Sequence, residues 1–165
     1  MGTRRKRITT VVTGTAGLAG VLAATALAVT PNKGVYTGAS DQVKVKDHGV
    51  RLRVDRHHEV AHFEIGWRAL CETKDKDGGP KFWTGGSQVN NPPNDGNGGF
   101  QYTGGYTTHT QSHYTGDITL TVKGHFTDKT HAQGSWKAHV TVYGPKGKHV
   151  DDCSVSTHWR VGPQA

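Results

Sequence analysis

The chain has 165 residues, with 20 Lys and Arg against 13 Asp and Glu, a formal charge of +7. Four of the basic residues and no acid lie in residues 1–28, so the remaining 137 residues carry 16 basic and 13 acidic side chains, a charge of only +3. So small an excess gives no support to nucleic-acid binding, while 137 residues suffice for one domain with a real core.

The first element is a targeting segment. Arg4, Arg5, Lys6 and Arg7 precede the uncharged run "VVTGTAGLAGVLAATALAV", which contains the small-x-small pattern Ala26-Leu27-Ala28. A basic region, an apolar region and an A-x-A end predict a secretory signal peptide over 1–28, cleaved after Ala28. Thr and Gly dilute the run, making it a poor bilayer span. Arg4-Arg5 leaves both the twin-arginine and the general secretory routes open. No second apolar run follows, so no membrane association is expected after cleavage.

Beyond Val29 the dominant signal is alternation of period two, the mark of half-buried strands. "GVYTG" and "QVKVK" are short candidates, the latter with Val43 and Val45 on one face. "GVRLRVD" aligns Val50, Leu52 and Val54. "AHFEIGWRALC" aligns Phe63, Ile65, Trp67, Ala69 and Cys71 against His62, Glu64 and Arg68. Residues 74–100, "KDKDGGPKFWTGGSQVNNPPNDGNGGF", hold seven Gly and three Pro and show no period. They read as a long Gly/Asn/Pro-rich loop, with Phe82 and Trp83 packing part of it back on the sheet. Farther on, "DITLTVKGHF" aligns Ile118, Leu120, Val122 and Phe126. "GSWKAHVTV" aligns Trp136, Ala138, Val140 and Val142, and "DDCSVSTHW" aligns Cys153, Val155, Thr157 and Trp159. Eight or nine short strands separated by turn signals predict an all-β domain over 29–165, a single antiparallel β-sandwich or jelly-roll.

Cys71 and Cys153 are the two cysteines, and in an exported chain a single disulfide is expected. It would close a loop of roughly 80 residues, for which chain entropy predicts about 4–5 kcal/mol of stabilisation.

"GVYTG", Val50-x-Leu52-x-Val54, Phe63-x-Ile65-x-Trp67-x-x-x-Cys71, "GHFTDKTHAQGSW" and the closing Cys153 to Trp159 together resemble a recurrent secreted domain of actinobacteria. The resemblance spans most of residues 33–161. It implies a small β-sandwich whose two cysteines staple the first half to the last strand. It implies no activity and carries over no functional residue. The long Gly/Asn/Pro segment and the histidine load depart from the pattern.

The chain contains a literal zinc-protease motif, His58-Glu59-Val60-Ala61-His62. H-E-x-x-H works on a helix, which stacks residues i and i+4 on one face. Here polar "DRHH" leads into the alternation of Phe63, Ile65 and Trp67, so the pentapeptide straddles a turn and a strand. Strand residues four apart are separated by about 13 Å. A protease site is therefore not expected. His109 and His113, or His57, His58 and His62, are weaker metal candidates, read as solvated polar-face residues. "NNPPNDGNGG" faintly resembles a calcium loop through Asn94, Asp95 and Asn97, but Pro93 stands where a ligand is needed. Ser87, Ser112, Ser135, Ser154 and Ser156 lack a G-x-S-x-G elbow, and no spacing selects a glycosidase carboxylate pair.

The aromatic residues divide by company. Trp67, Trp136 and Trp159 are in phase with core strands. Trp83, Tyr102, Tyr106 and Tyr114 lie among Gly, Thr and Asn and are the candidate ligand-binding residues, suited to stacking on sugar rings or docking a partner. The expectation is a secreted, monomeric, non-enzymatic binding module for an extracellular polysaccharide, cell-wall polymer or protein, needing no cofactor or metal. A small secreted hydrolase or metal-dependent enzyme, or an inhibitor of a secreted enzyme, are the alternatives.

Overall fold

The computed structural model describes residues 28–42, 49–110 and 113–164. The expected signal peptide lies outside these residues except for Ala28, as does the expected strand around Val43 and Val45. Eight strands are present: β1 (Gly34–Ser40), β2 (Val50–Val54), β3 (Val60–Lys74), β4 (Pro80–Asn90), β5 (Gly99–His109), β6 (Thr115–Phe126), β7 (Ala132–Tyr143) and β8 (His149–Pro163). The all-β class is as expected. The described residues contain no α-helix, only a 3-10 turn at Pro145–Gly147.

All eight strands form one antiparallel sheet in the order β4-β3-β2-β1-β8-β7-β6-β5. Neighbours in the sheet are neighbours in sequence, and the β1–β8 pairing joins the two ends of the chain. This is a meander, without the crossing connections that define a jelly-roll.

β2, β3, β6, β7 and β8 bury alternate residues on one face, and those residues meet across the sheet. The Phe63 ring on β3 lies 5.1 Å from Trp159 on β8, 6.4 Å from Trp136 on β7 and 5.9 Å from Phe100 on β5, centroid to centroid. Strands far apart in the sheet order thus touch, so the sheet curls around its own apolar face. Trp67, Trp136 and Trp159 are buried within, as their phase predicts. Tyr36 and Phe126 meet edge-on at 5.4 Å.

The Gly/Asn/Pro-rich segment is not the long loop that its composition suggested. Pro80–Asn90 within it is the 11-residue strand β4, paired with β3 from His62↔Asn90 to Leu70↔Phe82 and at Lys74↔Pro80. Small residues there make room for large ones opposite. A side chain added at Gly85 would strike the Trp67 indole, and one at Gly116 the Trp83 indole.

Four hairpins share one turn. In Asp55–Glu59, Asp75–Gly79, Thr110–Tyr114 and Gly144–Lys148 the first N–H donates to the fifth carbonyl, and the fourth N–H returns to the first carbonyl. The fourth residues, His58, Gly78, His113 and Gly147, have φ of 64°, 79°, 62° and 73°, the left-handed position of a turn with a bulge. Asp side chains tie the turns. Asp55 Oδ1 accepts from His57 and Glu59, Asp75 Oδ1 from Asp77 and Gly79, and Asp95 Oδ1 from Asn97 and Gly99.

β1 and β2 are short and fill only half the gap between the 15-residue strands β3 and β8. Where they end, β3 and β8 pair directly at Leu70↔Ser154 and Cys71↔Cys153, and the two cysteines form the expected disulfide. Beside it, buried Asp151 accepts from the Thr73 backbone N–H (3.1 Å), from the Thr73 hydroxyl and from Lys81 Nζ (3.2 Å). Burial pushes the Asp151 carboxyl up, but these donors outweigh it and hold it below the ordinary aspartate value.

Replacing both cysteines with Ser is expected to cost about 2–5 kcal/mol of stability, read by urea unfolding. A loss near zero would mean that Asp151, Thr73 and Lys81 hold the closure unaided.

Acid should weaken the fold. Asp128 is lowered to about 2, first by the Thr130 backbone N–H, then by the Thr130 hydroxyl, with burial opposing and His131 adding to the shift. Asp55 and Asp151 are also lowered. These pKa values lie below the unfolded value, so the unfolded chain binds more protons as pH falls. The stabilisation is present above about pH 4 and lost on the way to pH 2, and Tm measured from pH 5 to pH 2 should fall. Asp128→Asn should flatten that fall.

Candidate functional site

The H-E-x-x-H pentapeptide spans the β2–β3 turn and the start of β3, with His58 in the left-handed turn position. Its two imidazoles turn to different partners. His58 Nδ1 lies 2.7 Å from the Pro31 carbonyl, and His62 Nδ1 lies 2.7 Å from Asn90 Oδ1 on β4. The helical stacking that the zinc motif needs is therefore missing, for the reason its alternation implied. His57 Nε2 accepts from Arg56 Nε at 3.1 Å, and His109 Nδ1 faces the Thr115 hydroxyl at 3.0 Å. In the calcium-like stretch, Asn94 Oδ1 accepts from the Val60 N–H, and its amide donates to the Val60 and Pro92 carbonyls. Asn94 is thus a brace between the β4–β5 connection and β3.

The candidate aromatics separate into three positions. Trp83 is partly buried and packs on the core beside Val140 and Gly116. Tyr114 sits in the β5–β6 turn, about one-third exposed. Tyr102 and Tyr106, four residues apart on the same face of β5, both line the seam where β4 faces β5. No strand ladder joins these two strands. Side chains bridge them instead: Trp67 Nε1 donates to Ser87 Oγ (2.8 Å), Ser87 Oγ meets the Tyr106 hydroxyl (2.7 Å), and that hydroxyl lies 2.9 Å from the Gly86 carbonyl. Beside this relay is a cleft of ≈ 280 Å³ lined by Gly86, Ser87, Gln88, Tyr102, Gly105, Tyr106 and Leu120.

Strands β5–β8 turn a polar face outward, which reading the chain by linear motifs missed. Pairing register puts Lys123, Ser135 and His158 in one row across β6, β7 and β8, and His125, Gln133 and Arg160 in the next. Toward the other end the rows become acidic, with Asp117 and Asp152. Asp152 lies between His139 (3.2 Å) and His149 (2.8 Å). Burial pushes its carboxyl up, but the His149 contact, the Thr141 hydroxyl and the two imidazoles leave it lowered. The periodicity of each strand shows which residues point outward, but only register shows which stand side by side.

Comparison with family models, with curated proteins and with solved structures finds no match to this chain.

Tyr106→Phe removes the hydroxyl that joins the two edge strands, and should cost about 1 kcal/mol, measured by urea unfolding. Glu59→Gln, in an exposed turn, should leave stability within about 0.5 kcal/mol of the parent. A tightly held stoichiometric zinc in the parent, with peptidase activity lost in Glu59→Gln, would overturn the structural reading of the pentapeptide.

Proposed function

We propose that this chain is an extracellular binding module, non-enzymatic and monomeric, that uses its outer surface to hold a polysaccharide, a cell-wall polymer or a protein. The observation that carries the reading is the seam cleft. It gathers Tyr102 and Tyr106, two of the four aromatics singled out for contact, with the amide of Gln88 and the hydroxyl of Ser87. A tyrosine ring beside hydrogen-bonding side chains suits a sugar ring or a partner's side chain, each with an apolar face and a polar edge. The filled interior favours this surface: Trp67, Trp136, Trp159 and Phe63 occupy the space in which wider barrels hold small ligands.

Export fits the same reading. The basic and apolar segment of residues 1–28 reads as a cleavable signal, and the Cys71–Cys153 bond suits an oxidising compartment. No described helix is long and apolar enough to cross a membrane. The β-sandwich expected from the sequence corresponds to flattening the curled sheet into two facing halves, β4-β3-β2-β1 and β8-β7-β6-β5. Contacts of Phe63 with Phe100 and Trp136 across the interior support that description.

The test is retention on insoluble polysaccharides, isolated cell walls and immobilised secreted proteins. Gln88→Ala, at an exposed position, should weaken the retained interaction by about 1 kcal/mol or more while leaving stability within about 0.5 kcal/mol. Tyr102→Ala should weaken it further, with some loss of stability because that ring also packs on the core. Undiminished retention in both variants would remove the seam as the contact surface.

A further inference from the structure

We propose that the outer face of β6, β7 and β8 holds a second site, selective for an acidic polysaccharide whose sugars carry carboxylate or phosphate groups. The proposal extends the reading of an extracellular binding module, but uses none of the seam residues. Lys123, His125, His158 and Arg160 stand at the corners of a rectangle, with Ser135 and Gln133 along its midline. With strands about 4.8 Å apart and same-face residues about 7 Å apart, the rectangle measures about 7 by 10 Å. That is the footprint of one or two sugar rings.

The same residues line one open depression, together with Gly124, Gly134 and the backbone side of Trp159, and no carboxylate is among them. Gly124, Gly134 and Trp159 belong to the inward-facing row between the two outward rows, so backbone alone floors the depression, with the Trp159 indole packed against the inner side of the two glycines. Asp41 reaches the border, with Oδ2 3.5 Å from His158 Nδ1, and Asp95 lines the adjoining cleft that shares Lys123 and His125. Among the described residues, neither Lys123 nor Arg160 has a carboxylate within ion-pair distance.

Charge and spacing point to the ligand class. Like charges placed directly opposite on a sheet repel, and here each row separates its two basic residues by an uncharged hydrogen-bonding one. An anionic group over the rectangle meets two permanent cations and the imidazole N–H donors, with Gln133 and Ser135 placed for hydroxyls. Arg160 offers the planar fork that pairs with a carboxylate or phosphate. A single-stranded nucleic acid is disfavoured, because no exposed aromatic ring lines the depression for bases to stack on.

The experiment is calorimetric titration of the purified exported protein with polygalacturonate and with a phosphate-bearing glycan polymer. Neutral pullulan and a single-stranded oligonucleotide are the controls. Binding of one or both acidic polymers, weakened by added salt and absent with pullulan, is the expected result, and the two polymers distinguish carboxylate from phosphate. Lys123→Ala/Arg160→Ala should weaken Kd at least tenfold, and Gln133→Ala about threefold with the salt dependence unchanged. Lys148→Ala, in the β7–β8 turn, should bind as the parent does. Thermal melting verifies folding, and Lys123→Gln/Arg160→Gln replaces the alanine pair if that pair is unstable. No binding of either acidic polymer, equal weakening by Lys148→Ala, parental affinity in the Lys123/Arg160 variants, or tighter binding of the oligonucleotide would each overturn the proposal. Gln88→Ala should leave polygalacturonate binding intact, so failure at the seam and failure here are read separately.

Discussion

The structure depends on one constraint: every strand has an apolar face, and no described helix lies over the sheet to cover it. A sheet in that position can shield its apolar face only by bending around it. The bend brings Phe63 of β3 against Trp159 of β8 and against side chains of β5 and β7, strands that would be remote from β3 in a flat sheet. Three tryptophans inside so small an enclosure need space. Gly85, Gly124 and Gly134 supply it by having no side chain where the indoles of Trp67 and Trp159 pass. The glycine content is thus part of the packing. It also weakens strands by entropy, and the pairing of β3 with β8 through Cys71–Cys153 helps to offset that loss.

Legibility from sequence follows the same division. β3, β6, β7 and β8 were readable because large apolar residues alternate along them, and the buried Trp67, Trp136 and Trp159 were readable for that reason. β4 was not, because its inward positions are Trp83, Gly85, Ser87 and Val89, and a glycine facing an indole looks like a loop residue. A signal did exist. "DKDGG" and "DGNGG" bracket β4 at residues 75–79 and 95–99, and in both the Asp side chain accepts from the backbone of the turn. Two copies of one turn sequence 20 residues apart mark a strand between them, whatever its composition.

The surfaces were less legible than the core. The four aromatics were chosen for their polar surroundings, which do not distinguish an exposed ring from one resting on glycine. The curl draws Trp83 and Tyr102 onto the core and leaves Tyr102 and Tyr106 spaced along one cleft at the seam. The juxtaposition of Lys123, His158, His125 and Arg160 comes from β6 and β8, with β7 between them. Residues 33 or more positions apart share a patch only through register, and a zinc-like pentapeptide that is contiguous in sequence divides its two imidazoles between β4 and the 28–32 segment.

The gap between β4 and β5 gives the molecule a particular topology. β1 and β8 pair from Tyr36↔Pro163 to Ser40↔Trp159, so the strands make an almost complete ring, interrupted once at the seam. The first and last strands lie side by side, and the break in the ladder falls in the middle of the chain. A short linker from Gln164 to Val29, with new ends opened near Gly96, would yield a circular permutant in which every strand pairing is kept. The order in which β5–β8 and β1–β4 are synthesised would be reversed. In that permutant Cys153 would precede Cys71, and the disulfide would close through the new linker and the β1–β2 side of the chain instead of through β4–β7.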